Sequence, residues 1–318
     1  MAKRKNTKNK KFKKYSIVVF IIAVIFSLIP PIMKQINGEF SWEDTAEKVG
    51  LAGNTEIDGY PMSVHFVDVG QGSCTLITSD FGTIMFDCGE KDQKEVVLDY
   101  LDNLNIEKID YLIASHPHSD HIGCMSSVIN HCEIGKFYMP ELDESDIPTS
   151  KTYEHLLNAL EKNNVDSSYM KSGDSFSLGE IECTALAPVE VIKGNINSMS
   201  IILKVEYKNV SFLLTGDAEK DEEKTVLDSG VDLSSDILCV GHHGSRTASS
   251  ASFLKAVDPD IAVISCGKDN QYGHPHKETT QRLDKLGIKY YQTDQESTII
   301  FSTDGEKIID HQSGDKDE

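Results

Sequence analysis

The chain lacks the cysteine pattern that holds small exported folds together. Its 318 residues include seven cysteines, an odd number, and no two of them form a Cys-x-x-Cys pair. Most of them lie in apolar or glycine-flanked stretches, where a thiol behaves as a small hydrophobic side chain. The sequence therefore predicts no disulfide framework. A chain of this length can bury a sufficient core without one.

Basic residues are scarce beyond the N-terminus. Eight of the 31 lysines and arginines lie within residues 1–14, which contain no acid. The rest of the chain contains 23 basic residues and 51 aspartates and glutamates, which gives it a formal charge of −28. This balance argues against non-specific nucleic-acid binding through a basic surface. A polyanionic substrate would need locally placed cations or a bound metal.

Charge is absent from one further stretch, residues 15–33. Its length is close to the roughly 20 residues that a helix needs to cross a bilayer. The lysines before it place the N-terminus in the cytoplasm and the remainder outside. We therefore expect a single-pass anchor in the cell membrane and an extracellular domain. A cleaved signal peptide is an alternative, although no small-x-small cleavage site follows, and a buried core helix is another.

The rest of the sequence divides around this segment. We expect a basic cytoplasmic segment at 1–14, the anchor at 15–33, a linker at 34–60, one folded domain at 61–310 and a charged tail at 311–318. Within the domain, strands come first and then alternate with helices, and this order occurs twice. That pattern predicts an α/β fold with two β-rich halves and helices outside them. The expected strands are 62–69, 74–78, 83–87, 109–114, 176–178, 181–187, 198–207, 210–215, 236–240, 260–265, 289–292 and 297–302, and the expected helices are 92–104, 123–131, 150–163, 218–229, 250–257 and 276–286.

Three histidines and an aspartate lie within six residues directly after the apolar run 109–114. They are His116, His118, Asp120 and His121. Imidazole and carboxylate groups are the usual ligands of zinc and similar divalent metals. Alternate residues of an extended loop point the same way, so one such segment can supply ligands to two adjacent metals. A solvated polar loop is the alternative, but this spacing after a strand rarely arises by chance.

Two later strand ends carry candidate ligands as well. Asp217 follows the apolar strand 210–215 and Gly216, where a carboxylate can bridge two cations or cap the next helix. His242 and His243 follow strand 236–240, with glycines on both sides that permit close backbone approach. Asp87, at the end of another strand, is better suited to orienting ligands than to binding metal.

Together these motifs resemble the metallo-β-lactamase fold. The resemblance rests on Asp87-x-Gly89, His116-x-His118-x-Asp120-His121, Gly216-Asp217 and Gly241-His242-His243-Gly244-Ser245. It is closest to the hydrolase domain of ComEC-type competence proteins, through Val67-Asp68-Val69-Gly70-Gln71-Gly72, Asn197-Ser198-Met199-Ser200 and Tyr272-Gly273-His274-Pro275-His276. It covers roughly residues 62–303.

The resemblance implies an αββα sandwich with one or two divalent metals at the sheet edges. Zinc is the first expectation, with manganese or iron as alternatives. The implied metal ligands are His116, His118, Asp120, His121, Asp217 and His242. His243 would stand beside the last ligand with a catalytic role. Many members of the fold have one more ligand histidine before the bridging aspartate, whereas this chain has only His131 and His155 in that interval.

The expected chemistry is hydrolysis by a metal-activated hydroxide. Asp120 would orient that hydroxide, and His274 would contact a substrate oxyanion or protonate the leaving group. Asn197 and Ser245 are candidate hydrogen-bond donors to the substrate. The expected activity is that of a membrane-anchored phosphodiesterase acting on DNA or a cell-wall polymer such as teichoic acid, with no organic cofactor. A non-catalytic accessory module and a lactonase or β-lactamase are the alternatives.

Overall fold

The computed structural model describes residues 59–311, which form two mixed β-sheets. The first sheet contains Met62–Phe66 (β1), Thr75–Ser79 (β2), Gly82–Phe86 (β3), Lys108–Ile113 (β4), Glu133–Met139 (β5), Asp166–Tyr169 (β6), Ile299–Thr303 (β14) and Ile308–Asp310 (β15). The second contains Ser175–Leu178 (β7), Ile181–Ala187 (β8), Ile202–Tyr207 (β9), Val210–Leu214 (β10), Ile237–Cys239 (β11), Ile261–Ile264 (β12) and Lys289–Gln292 (β13).

Each sheet combines an antiparallel part with a parallel part. In the first, the order is β15-β14-β1-β2-β3-β4-β5-β6, and the pairs from β3 to β6 are parallel. In the second, the order is β13-β12-β11-β10-β9-β8-β7, and the pairs from β10 to β13 are parallel. Loops that leave neighbouring parallel strands emerge at the same edge of a sheet. The fold therefore gathers the loops after β3, β4, β10, β11 and β12.

Helices follow the parallel strands along the chain. They are Lys94–Asn103 (α1), Ser119–Ile122 (α2), Met125–His131 (α3), Lys151–Lys162 (α4), Lys220–Ser229 (α5), Ala251–Val257 (α6), Lys277–Leu286 (α7) and Thr293–Glu296 (α8), with 3₁₀ turns at Lys91–Gln93, Asn197–Met199 and Gly241–Gly244. Hydroxyl caps start two of them, because Ser150 Oγ accepts a hydrogen bond from Tyr153 N and Ser250 Oγ accepts one from Phe253 N. Among the helices of residues 59–311, none is long and apolar enough to cross a membrane.

Strand alternation sorts the apolar side chains into three cores. Met62, Val64 and Phe66 of β1 pack with residues of the second sheet, such as Phe212, in the core between the sheets. Val97 and Leu101 of α1 pack on the outer face of the first sheet, and α6 and α7 cover the second sheet in the same way. This is the four-layered αββα arrangement that the family resemblance implies.

The sequence prediction omitted three strands, β5, β6 and β15. β5 and β6 lie at the margin of the first sheet, and exposed residues interrupt their apolar pattern. β15 is a three-residue edge strand with half-buried side chains. Position 198 was expected to start a strand, but it lies in the 3₁₀ turn Asn197–Met199. The predicted anchor at 15–33 lies outside the described residues.

The seven cysteines all lie within the described residues. All seven cysteines are buried and free, and several of them belong to the apolar cores. Burial raises the pKa of Cys239 to about 12, so this thiol stays protonated near neutral pH.

Candidate metal centre

The histidine loop begins at the end of β4, where a carboxylate fixes its start. Asp87 Oδ1 accepts a hydrogen bond from Ser115 N at 2.8 Å, and Asp87 Oδ2 accepts one from Ser115 Oγ at 2.8 Å. The same Oδ2 lies 2.8 Å from Nδ1 of His121. Asp87 is fully buried and orients His121 through the ring nitrogen that points away from the site. The sequence-based role of Asp87 agrees with this contact.

Six of the sequence-predicted residues meet in two groups around Asp217. The first group is His116, His118 and Asp217, and the second is Asp120, His121 and His243. In each group the candidate ligand atoms all lie within 4.8 Å of one another. The structure thus brings together residues that are more than 100 positions apart in the sequence, from loops of both sheets.

The carboxylate of Asp217 faces both groups, one oxygen to each. Its Oδ1 lies 3.2 Å from Nε2 of His121 and 3.4 Å from Nε2 of His243. Its Oδ2 lies 3.8 Å from Nε2 of His116. The helix that follows starts at Lys220 with Glu219 as N-cap residue, so Asp217 does not cap it. The structure places Asp217 between the groups, as the bridging interpretation expects.

Hydrogen bonds on the far sides of the His116 and His243 rings set the direction of their Nε2 atoms. His243 Nδ1 donates to the carbonyl oxygen of Ser265 at 2.9 Å. His116 Nδ1 lies 3.1 Å from Ser115 Oγ and 3.3 Å from Ser200 Oγ. A histidine whose Nδ1–H is held in this way presents an unprotonated Nε2, which is the form that binds metal.

The two adjacent histidines differ in their contacts. The sequence favoured His242 as the last ligand, but Nε2 of His243 is the one that lies beside Asp120, at 3.3 Å from Oδ2. His242 Nε2 lies 3.6 Å from Asp217 Oδ2 instead, and its Nδ1 lies 3.2 Å from Oε1 of Glu219. Both histidines therefore border the site, on opposite oxygens of Asp217.

Burial and mutual contact shift the pKa values of these groups strongly. Burial, and then the proximity of His121, lowers the pKa of His116 well below its ordinary value. Burial disfavours the charged form of His121 too, but Asp217 and Asp87 outweigh it and raise its pKa well above the usual range. Burial would raise the pKa of Asp217, yet His121 and His243 hold it well below normal.

These contacts fit a divalent metal. Asp217 is only 3% exposed, and its Oδ1 is buried without a hydrogen-bond partner. The Nε2 atoms of His121 and His243 face each other at 3.2 Å. A desolvated carboxylate with imidazole nitrogens on both sides is a favourable place for a cation, which would displace the proton that Asp217 and Asp87 stabilise on His121. Imidazole and carboxylate donors suit zinc, manganese and iron.

His274 lies beside the histidine pair. Its ring centroid is 5.5 Å from that of His242 and 6.2 Å from that of His243. Burial and then the proximity of His243 lower the pKa of His274 to about 4, so its ring is neutral at pH 7. The ring of Tyr272 stacks on it at 5.6 Å and is 54% exposed. A line of rings thus leads from the surface to the metal groups.

The two predicted substrate contacts behave differently. Asn197 begins the 3₁₀ turn beside the site, and its Oδ1 is buried without a hydrogen-bond partner. The hydroxyl of Ser245 forms a hydrogen bond with Oγ1 of Thr247 at 2.9 Å, so it already has a partner within the protein. His131 binds Asp102 near the surface, and His155 is exposed, so neither takes part in the groups.

Sequence reasoning missed two residues that touch the ligands. Ser200 Oγ accepts a hydrogen bond from Asp217 N at 3.0 Å as well as contacting His116. The second is Glu219, whose Oε1 lies 3.2 Å from His242 Nδ1. Asn195 Nδ2 donates a hydrogen bond to Glu219 Oε2 at 2.9 Å. The available signals were the position of Ser200 in the Asn197–Ser200 motif and that of Glu219 two residues after Asp217.

Comparisons with known proteins agree with this geometry. Residues 67–268 match the Metallo-beta-lactamase superfamily. ComE operon protein 3 of Bacillus subtilis is 29% identical to this chain in an alignment that covers 75% of this chain. Competence protein ComA of Neisseria gonorrhoeae is 31% identical in an alignment that covers 74% of this chain. This chain spans 32% and 31% of those relatives, about a third of their length. The metallo-beta-lactamase fold protein YhfI of Bacillus subtilis has a TM-score of 0.51 at 15% identity, covering 76% of this chain and 100% of YhfI, which shows the fold alone.

Proposed function

Because the chain belongs to the metallo-beta-lactamase superfamily, we propose that it is a metal-dependent phosphodiesterase. The observation that carries the proposal is the Asp217 carboxylate, buried between two groups of ligand atoms with one oxygen toward each. Paired metals suit phosphodiesters, because together they contact both the attacking and the leaving oxygen. The fold is that of metal-dependent hydrolases, and the phosphodiester substrate is our proposal.

The chain's own residues have distinct roles in this proposal. His116, His118 and Asp217 would hold one metal, and Asp120, His121, His243 and Asp217 the other. Bound divalent metal lowers the pKa of water and offsets charge on phosphoryl oxygens. Asp120 has a 23% exposed side chain, so its carboxylate faces the open side of the site. There it would orient the attacking water by accepting a hydrogen bond.

His274 would bind the substrate rather than supply a full proton. Its ring is neutral at pH 7, and its Nδ1 is buried without a hydrogen-bond partner. A neutral imidazole beside the metal groups can donate one hydrogen bond to a phosphoryl oxygen. Asn197 and Ser245 stay as candidate contacts, with Ser245 requiring release of its bond to Thr247.

A polynucleotide is the substrate that the rim of the site favours. Tyr272 presents an exposed ring there, and aromatic rings bind single strands by base stacking. The segment from Gly241 to Lys277 has four basic and three acidic residues, in contrast to a whole-chain charge of −20. Teichoic acids carry no bases to stack. The similarity to competence proteins supports the same substrate class.

The first experiment measures phosphodiester hydrolysis by the full chain. Bis-p-nitrophenyl phosphate is supplied with zinc or manganese, and wild type is compared with Asp120→Ala. We expect turnover by the wild type and a loss of several orders of magnitude in the variant. A metal-loaded protein with no turnover on this substrate or on oligonucleotides would favour a non-catalytic accessory module. Turnover of lactones alone would favour a lactonase.

The second experiment tests the polynucleotide. Tyr272→Ala and the matched variant Tyr272→Phe are compared on oligothymidylate and on an abasic oligonucleotide. Stacking contributes about 1–3 kcal/mol per base, so Tyr272→Ala should raise KM by about 5-fold to 150-fold on oligothymidylate only. Tyr272→Phe should retain the wild-type KM. Equal KM values for all three proteins would remove the reason to prefer a polynucleotide.

The proposed location is the outer face of the cell membrane. It rests on the uncharged segment 15–33 and the lysines before it. Protease added to intact cells should then degrade the domain, while protease-resistant protein in intact cells would place it inside. Recovery of a shortened chain from the medium would favour the cleaved signal peptide.

A further inference from the structure

The two ligand groups are unequal. Around Asp217 Oδ1 lie donors from Asp120, His121 and His243, which with Asp217 make four protein ligands. Around Asp217 Oδ2 the compact group contains only His116 and His118, which with Asp217 make three. Zinc sites usually have four ligands and can expand to five, and a catalytic site keeps one position for water. The first group, with three protein ligands, can therefore accept one more protein ligand beside a water.

His242 is placed to be that ligand. Its Nε2 lies 3.6 Å from Asp217 Oδ2, slightly closer than His116 Nε2 at 3.8 Å from the same oxygen. It lies outside the compact group, and its side chain is 21% exposed. Within residues 59–311, the histidines that fill the interval before Asp217 are engaged elsewhere or exposed, namely His131 and His155.

The far side of the His242 ring is held as in the other ligands. Oε1 of Glu219 lies 3.2 Å from its Nδ1, and Asn195 Nδ2 donates to Glu219 Oε2 at 2.9 Å. A carboxylate on Nδ1 fixes the tautomer that leaves Nε2 free for metal. Asp87 has the same relation to His121 at 2.8 Å. The two carboxylate–histidine pairs stand on opposite oxygens of Asp217.

The backbone at the histidine pair is a second, independent observation. His242 has φ 49° and ψ 48°, and His243 has φ 52° and ψ 28°. Left-handed conformations are unfavourable for residues other than glycine, and they persist where the surroundings require them. In extended backbone, neighbouring side chains point to opposite faces. The left-handed turn instead brings both imidazoles to the same carboxylate.

We infer that His242 is the fourth protein ligand of the first metal, positioned by Glu219, and that it replaces the histidine absent from the interval before Asp217. The consecutive histidines then serve one metal each: His242 the first and His243 the second. This inference rests on the proposed metal site, but it makes no use of the substrate.

Metal content tests the inference without any assay of activity. The full chain, His242→Ala, His243→Ala and the control His155→Ala are loaded with manganese, dialysed and measured for metal per chain. Wild type and control should retain two ions, and each of the other two variants one. Manganese EPR should show coupled ions in the wild type and an isolated ion in His242→Ala. In Glu219→Gln, titration should show that the first group binds manganese with an affinity about 10–100-fold lower than in the wild type.

The outcomes separate this inference from the proposed function. Two ions bound by His242→Ala with unchanged affinity would overturn the role of His242 and leave the phosphodiesterase proposal standing. A wild type that binds no metal would overturn both. If His242→Ala fails to fold by circular dichroism, His242→Gln supplies a side chain of similar size, and loss of one ion is again the expected result.

Discussion

At the scale of single residues, the ligand types could be predicted but their orientations could not. The spacing of His116, His118, Asp120 and His121 after a strand was enough to predict metal chemistry. The difference between His242 and His243 lies in which carboxylate oxygen of Asp217 each Nε2 faces, and that follows from the left-handed turn at this pair. Because His242 and His243 are identical neighbours, their local sequence does not show which oxygen of Asp217 each ring will face. Ser200 was missed for a similar reason, since its hydroxyl acts from another loop.

Asp87 shows how a residue without a ligand position controls the site. Its carboxylate accepts from Ser115 and His121, so it sets both the start of the loop and the ring of one ligand. Asp87→Asn keeps the size but loses the charge that favours an Nδ1–H on His121. We expect metal affinity to fall by about 10–100-fold. Calorimetric titration with zinc measures this change. Asp102→Asn, at the surface beside His131, is the control, and equal losses in both variants would contradict the role.

A buried histidine outside the site predicts a pH dependence of folding. His65 is 1% exposed, and its Nδ1 lies 2.7 Å from the hydroxyl of Tyr100. Burial, and then the proximity of His311, lowers its pKa from 6.5 to about 4. The unfolded chain therefore binds a proton between pH 6.5 and 4 that the folded chain does not bind. The contribution of neutral His65 to the free energy of unfolding is therefore fully present above pH 6.5 and is lost as the pH falls from 6.5 toward 4.

The expected loss between pH 7 and 4.5 is about 2 kcal/mol from this group. Urea unfolding at the two pH values measures it. His65→Gln cannot titrate, so its free energy of unfolding should change less than that of the wild type over the same interval. Other acidic groups contribute equally to both proteins and cancel in the difference. An identical pH dependence in the two proteins would contradict this assignment.

At the scale of elements, the sequence predicts what is buried and periodic. The central strands β1 to β4 and β8 to β12 have apolar patterns, and the sequence predictions include all of them. The strands β5, β6 and β15 were missed because they lie at sheet margins, where half of the side chains face solvent. Their pairing is set by neighbouring strands rather than by their own apolar pattern.

The turn between β1 and β2 supports the metal loop directly. Ser73 N donates to the carbonyl oxygen of Asp120 at 3.1 Å. Gly72 adopts φ +140°, and a Cβ at this position would lie 2.5 Å from that same oxygen. Gly72→Ala must therefore displace the backbone of Asp120. We expect weaker binding at the second metal and a matching loss of phosphodiester hydrolysis.

The matched control for this variant is Gly173→Ala. Gly173 also has a positive φ, at +90°, but nothing lies within 4 Å of an added Cβ. Both variants carry the strain of a left-handed alanine, and only Gly72→Ala contacts the loop. Thermal unfolding and metal titration of the two proteins separate strain from displacement. If both variants keep the wild-type metal affinity, the contact with Asp120 does not position this ligand.

At the scale of the whole molecule, the metal centre joins the two sheets. The first sheet contributes the loop with His116 and His121, and the second contributes Asp217 and the histidine pair. Ile201 N donates to Ser115 O at 2.9 Å across this junction. A ligand that binds the folded chain and not the unfolded chain stabilises it by RT ln(1 + [L]/Kd), about 2.7 kcal/mol at a hundredfold excess over Kd. Because the ligands come from both sheets, metal should stabilise the domain as one unit.

We therefore expect zinc or manganese to raise Tm, and EDTA to lower it again. For a domain of this size the shift in Tm should be about 5–11 °C at a hundredfold excess of metal over Kd, since about 1 kcal/mol moves Tm by roughly 2–4 °C. In Asp217→Asn the bridge between the groups loses its charge, and the metal-dependent part of the shift should disappear. Asp217→Asn should also lower the Tm of the metal-free protein. In the absence of metal, the Asp217 carboxylate offsets the positive charge of His121, and the substitution removes that interaction. A full metal-induced shift in Asp217→Asn would place the metal away from this carboxylate.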